Sequence, residues 1–155
     1  MGEWQTVKLS EICNIRYGKD HKKLNDGNIP VYGSGGLMRY VDKAIHNSKS
    51  VLIPRKGSLK NLFFVEPPFW TVDTLFWTDI NTDVIYPEFL YYQLKTLNLE
   101  TYNVGTAVPS LTTAVLNDIL LVLPDLEEQK IIANYLVMLD NKIELNNKIN
   151  NNLAA

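Results

Sequence analysis

A chain of 155 residues, 46% hydrophobic and 21% charged, is sized for one domain with a single core. No apolar run approaches the roughly 18–20 residues of a membrane span, residues 1–6 lack the basic flank and apolar stretch of a signal peptide, and one cysteine with two histidines supplies neither an internal disulfide nor a structural zinc set. The net charge of −2 hides a division, because residues 1–60 carry 11 Lys/Arg against 5 Asp/Glu while residues 61–155 carry 4 against 12.

In chain order, Lys8-Leu9-Ser10-Glu11-Ile12 begins as a short helical turn capped by Ser10 and leads into Ile15-Arg16-Tyr17-Gly18. Residues 19–28 are polar and turn-rich, hence an exposed loop. Ile29-Pro30-Val31-Tyr32 reads as a short strand ending at the corner Gly33-Ser34-Gly35-Gly36. Strand signals follow at residues 50–54, 62–65, 69–72 and 74–77, each rich in branched or aromatic side chains. Pro87, at a first helical position, opens a helix over residues 87–95. A loop over 105–113, a short helix at 114–117 and a buried strand over 118–124 complete the α+β domain. Asp125 then caps a long helix, with Glu128 at capping-box spacing. Trp70, Trp77, Phe63, Phe64, Phe76, Tyr91 and Tyr92 fall within these patterns and are expected in the core, not on a base-stacking platform.

Catalytic chemistry finds little support. Glu66-Pro67-Pro68-Phe69 resembles the tetrapeptide with which amino-methyltransferases hold adenine, but Glu66 is a methylene too long and no glycine-rich cofactor loop lies upstream. The Gly33–Gly36 corner lacks the third glycine of a dinucleotide fingerprint and the Lys-Ser/Thr of a phosphate loop. Ser34 has no nucleophile-elbow context. No catalytic residue, cofactor or metal is expected.

Binding chemistry is better represented. A basic part of a chain suits a polyanion, while the acidic remainder suits solvent or protein partners, unless the two parts neutralise each other across the fold. Lys19, Lys22 and Lys23 share one loop, Arg39 follows Gly35-Gly36, and Arg55-Lys56-Gly57-Ser58 precedes Lys60. Glycine admits close backbone approach to phosphate, Ser34 and Ser58 add short donors, and arginine can grip a guanine edge with two hydrogen bonds. Residues 105–112, with Thr106, add a second loop of hydroxyl donors. Double-stranded DNA is the expected ligand, with Lys22, Arg39, Arg55 and Lys56 as its foremost contacts.

Seven segments in order then resemble a family. They are Trp4-x-x-Val7-Lys8-Leu9-Ser10-Glu11-Ile12, residues 29–36, Pro54-Arg55-Lys56-Gly57-Ser58, residues 68–75, Pro87-Glu88-Phe89-Leu90-Tyr91-Tyr92, Val108-Pro109-Ser110-Leu111, and Leu123-Pro124-x-Leu126-Glu127-Glu128-Gln129-Lys130-Ile131-Ile132-Ala133. Together they resemble a target recognition domain of a type I restriction-modification specificity subunit. The resemblance implies a non-catalytic DNA-recognition domain over residues 1–124 and a spacer or dimerisation helix over 125–155. It implies partnership with methyltransferase subunits and, through them, the restriction subunit. A purely structural dimerisation module, and a fragment of a DNA adenine methyltransferase, are the alternatives.

In the final helix Ile132, Leu136, Leu139 and Ile143 follow alternating steps of four and three, and the same register reaches Asn146 and Asn150 before Leu153. This is a coiled-coil seam with polar interruptions, joined by a neighbouring row at Leu145 and Ile149. The pattern meets no stop signal, which fits either a cut chain or a half subunit that pairs with a second copy. Pairing through the helix would give a homodimer that reads a palindromic, split target.

Overall fold

The computed structural model describes residues 2–154. Strand β1 (Gln5–Lys8), helix α1 (Leu9–Ile12) and strand β2 (Cys13–Tyr17) run without a break. Strands β3 (Asp26–Gly33) and β4 (Gly36–Val41) form a hairpin, followed by β5 (Ser50–Pro54), β6 (Phe63–Val65), β7 (Trp70–Thr71) and β8 (Leu75–Ile80). Helix α2 (Pro87–Lys95), a 3-10 turn (Leu99–Tyr102), helix α3 (Thr113–Asn117) and strand β9 (Leu120–Leu123) lead to helix α4 (Leu126–Leu153). The fold is α+β, a sheet-rich body carrying one long C-terminal helix.

Three small sheets build the body, in the orders β1-β9, β2-β8-β5-β6 and β4-β3-β7. Strand β5 is buried on both faces. The two-residue period of a strand sends Val51 and Ile53 into the main core with Phe76, Phe89 and Leu90, and Leu52 into a second cluster with Val65, Phe69 and Leu75. A third cluster, Val31, Val41 and Val72, lies against the β4-β3-β7 sheet. Between β5 and β8 the buried hydroxyls of Ser50 and Thr78 stand in for ladder bonds: Val51 N–H donates to Thr78 Oγ1 at 2.8 Å and Thr78 N–H to Ser50 Oγ at 2.9 Å.

Four sequence expectations are corrected. Ser10 lies inside α1; the turn starts at Lys8, whose N–H donates to the Glu11 carboxylate. Residues 26–28, expected in a loop, already belong to β3, and 36–41 form β4, because the Gly-rich corner is a hairpin turn in which Gly36 takes φ +106°. The last strand is not fully buried. In a two-stranded sheet only one face of β9 meets the core, so Leu121 and Leu123 are enclosed while Leu120 and Val122 stay exposed.

Helix α4 starts where expected, with Asp125 Oδ1 accepting from Glu128 N–H at 2.9 Å. Its first turns do not leave the body. Gln129 and Ala133 are buried, Ile132 packs on the main core, and Asp140 accepts from the Tyr92 hydroxyl at 2.7 Å. From Met138 to Ala154 every residue is exposed. The Gln129 amide fixes the junction: Oε1 accepts from Tyr86 N–H at 2.9 Å, and Nε2 donates to Pro124 O at 3.0 Å and Val84 O at 3.2 Å. Gln129→Ala strands these backbone groups and is expected to lower unfolding stability by about 2–4 kcal/mol, against about 1 kcal/mol for Asp125→Ala. Urea denaturation of the two variants checks this order.

Candidate nucleic-acid interface

Five connections converge at one end of the body, and specific bonds hold them there. After β2 the chain lies down on the β7–β8 turn, where Gly18 N–H donates to Leu75 O at 3.2 Å and Lys19 N–H to Thr71 O at 2.9 Å. Position 18 tolerates only glycine, since a Cβ would stand 2.0 Å from Val72 O. Two indoles complete the attachment: Trp77 Nε1 donates to Tyr17 O at 3.1 Å and Trp70 Nε1 to Lys19 O at 2.9 Å. The β3–β4 turn is joined to the 55–61 segment by Asn61 Nδ2, which donates to Ser34 O at 3.3 Å. The 55–58 corner is held by Arg55 N–H on Thr74 O, Gly57 N–H on Pro109 O and Leu111 N–H on Arg55 O. Lys56 and Ser110 form a β-bridge, which brings the 103–110 loop alongside.

Between the chain after β2, the β3–β4 turn and the β7–β8 turn lies an open hollow of about 690 Å³, lined by Lys19, Lys22, Ser34 and Gly35 together with Asp20, His21, Met38, Asp73 and Thr74. Lys23 is exposed on the same loop. Arg55 borders the hollow, its Nη1 donating to Asp73 O at 2.9 Å and its guanidinium 5.2 Å from the Tyr17 ring centre. Lys56, Ser58 and Thr106 are exposed on the adjoining corner and loop. Lys19, Lys22, Lys23 and Lys56 have no salt-bridge partner among the described residues. Within the hollow, the Lys22 backbone N–H, 3.0 Å from Asp20, holds that carboxyl below the usual carboxylate range.

Two of the expected contacts are turned elsewhere. Arg39 does not sit in a loop. Strand β4 places it opposite Val31, and its Nη2 donates to Asp26 at 2.8 Å and to Leu24 O at 3.2 Å. Lys60 stands 3.7 Å from Glu100 and lines a separate hollow with residues 95–100. Conversely, Leu37, Met38 and Tyr40 on β4 and Tyr17 at the end of β2 are large side chains left about half exposed, and Met38 lines the hollow. The signal that could have placed β4 is the Gly35-Gly36 pair followed by a short run of large apolar and aromatic side chains, read as the far arm of a hairpin. Phe69 of the Pro-Pro-aromatic tetrapeptide is fully buried, so its ring is not presented to a base, and Glu66 pairs with Lys49 at 3.6 Å on the surface.

On α4 the expected seam is divided. Ile132 and Leu136 are partly covered, whereas Leu139, Ile143 and Leu153 are exposed, as are Tyr135, Met138, Leu145 and Ile149.

The profile of a family described as the type I restriction modification DNA specificity domain matches residues 1–155. The chain belongs to this family. A type I restriction enzyme specificity subunit of Haemophilus influenzae is 30% identical over 146 residues, 86% of this chain and 36% of that protein. The protein named as the N-terminus of a type I specificity subunit of Mycoplasma pneumoniae is 27% identical over 145 residues, 88% of this chain and 76% of that one. The crystal structure of the type I restriction-modification S subunit from M. genitalium superimposes with a TM-score of 0.78 at 17% identity, over 91% of this chain and 40% of that one. The chain thus spans little more than a third of some relatives and about three quarters of another. Specificity subunits are the non-catalytic members of such systems. No helix among the described residues is long and apolar enough to cross a membrane.

Beside the backbone bonds that hold the 103–110 loop of the specificity domain, one side chain braces it from within: Asn103 Oδ1 accepts from both Gly105 N–H and Ser110 N–H at 2.8 Å. Asn103→Ala is expected to raise amide exchange across residues 104–110 by about tenfold while costing global stability only about 1 kcal/mol. Hydrogen-exchange mass spectrometry with a urea titration tests this separation.

Proposed function

We propose that this chain reads one half of a split duplex DNA target and directs methyltransferase subunits, and through them a restriction subunit, to that site. The observation that carries the reading is that Lys19 and Lys22 line one open hollow together with Ser34 and Gly35, with Lys23 exposed on the same loop and Lys56 on the adjoining corner, all four free of internal carboxylate partners among the described residues. Lysines on mobile stems anchor phosphates, and the hollow admits base edges. Arg55, braced on Tyr17 and Asp73, is a positioned guanidinium at the border, with Ser34, Gly35, Ser58 and Thr106 as neutral donors. Arg39 and Lys60 contribute at the margin, through charge already shared with Asp26 and Glu100.

Residues 1–124 act as the recognition domain and 125–155 as the spacer in this reading. The 28 residues of α4 extend roughly 40 Å at about 1.5 Å per residue, against roughly 34–36 Å for one DNA turn. The exposed pairs Leu139 with Ile143 and Leu145 with Ile149, on two neighbouring rows of the projecting part, suit a helix partner in a coiled coil, supplied by a second copy or a second recognition half. The setting is cytoplasmic, where the target DNA and partner subunits meet.

Binding of the chain to a random-sequence duplex pool, followed over salt, tests the reading. Affinity should fall steeply with salt, and Lys19→Ala with Lys22→Ala should reduce the log–log slope by about two, whereas Lys60→Ala should change affinity less than about twofold. Enrichment without salt dependence, or none, contradicts it. A purely structural role predicts undiminished function in the Arg55→Ala, Lys56→Ala variant. Ile143→Asp with Leu145→Asp should abolish self-association in sedimentation while leaving half-site binding intact; an unchanged mass would remove the helix from the assembly surface.

A further inference from the structure

Strand β4 departs from regular pairing near its start. Across the hairpin Tyr32 faces Leu37 while Val31 faces Arg39, so Met38 is the extra residue of a β-bulge. A bulge interrupts alternation and re-aims side chains. Leu37 and Met38, 53% and 54% exposed, consequently both stand out from the ribbon next to its turn. Met38 lies over Gly33, in the wall of the hollow that also holds Lys19, Lys22 and Ser34.

The surroundings restrict what these side chains meet. Asp20 and Asp73 line the same hollow as Lys19 and Lys22, so the carboxylates disfavour a phosphate beside them while the lysines, on flexible stems, reach the backbone. What enters is therefore a base edge. An antiparallel ribbon fits the major groove, where the apolar group displayed on an A·T pair is the thymine C5-methyl. Carboxylates in that groove accept from exocyclic amines, which base edges also present.

We propose that the β3–β4 hairpin enters the major groove and that Met38, with Leu37 beside it, reads the C5-methyl group of thymine. This rests on the duplex-DNA reading and adds the chemical group that is recognised. The half-site then contains an A·T pair at a fixed position opposite the bulge.

The test uses the full chain and duplexes enriched from the random pool, each remade with deoxyuridine in place of thymine, which removes the C5-methyl groups alone. Affinity should drop about fourfold per thymine read, the factor for one buried methyl group. The Leu37→Ala, Met38→Ala variant should bind both forms equally with its salt dependence unchanged, and Met38→Leu should keep the discrimination. Equal binding of both forms by the unaltered chain, or discrimination that survives in the double-alanine variant, overturns the methyl reading and leaves DNA recognition standing. Failure to enrich any duplex overturns DNA recognition and this inference together.

Discussion

The Gln129 amide joins three parts of the molecule through one buried side chain. It binds the turn before α2, the end of β9 and the first turns of α4 at once, with its three bonds sealed from water. A buried amide is costly unless its donors and acceptors are matched, and here both ends are used. The direction in which α4 leaves the body is therefore set by a polar contact with a defined geometry rather than by apolar packing alone. Any assembly built on the projecting half of α4 inherits its orientation to the loop end of the body from this junction.

The loop end obeys a similar logic. The tryptophans, with Trp77 partly packed on the second core cluster, spend their indole N–H groups on the carbonyls of Tyr17 and Lys19. The lysine-bearing loop is thereby tied to the rigid β7–β8 turn at its root, while its lysine side chains remain in solvent. The charge division in the sequence resolves into two populations. Lys8, Lys49 and Lys60 pair with Asp118, Glu88 and Glu100 of the acidic part, and the pair at Glu88 holds the Lys49 ammonium above its ordinary pKa. Of the cations left over, Lys19 and Lys22 line one hollow, with Lys23 on the same loop and Arg55 and Lys56 on the adjoining corner, while Arg16, Lys43 and Lys142 are not part of its lining. Neutralisation across the fold and a set of unpaired basic side chains are both present, on different residues.

Much of this is legible in the sequence. Helix α2 coincides with its Pro87 signal, α4 with its Asp125 cap, and most strands with runs of branched or aromatic residues, because these signals are local. Strand β4 is hidden: Leu37 to Val41 alternates poorly around the bulge at Met38, and the adjoining glycines read as a corner that ends one strand without announcing the next. Arg39 escapes correct placement for the same reason. The fate of Lys60 depends on Glu100, forty residues away and joined only by tertiary structure, which no periodicity reveals. The family resemblance, spread over seven short segments, carries the overall organisation further than any single segment does. The convergence of the 17–22, 33–38, 55–58 and 103–110 connections is a property of sheet order and cannot be read from spacing.

DNA recognition by this chain requires those connections to form one DNA-facing surface. Hydrogen-exchange mass spectrometry of the chain, free and bound to an enriched duplex, tests this most directly. Slowed exchange confined to residues 17–22, 33–38, 55–58 and 103–110, with 141–154 unchanged, is the predicted result. Slowed exchange centred on the projecting helix or on residues 95–100, with the four connections unaffected, would contradict it.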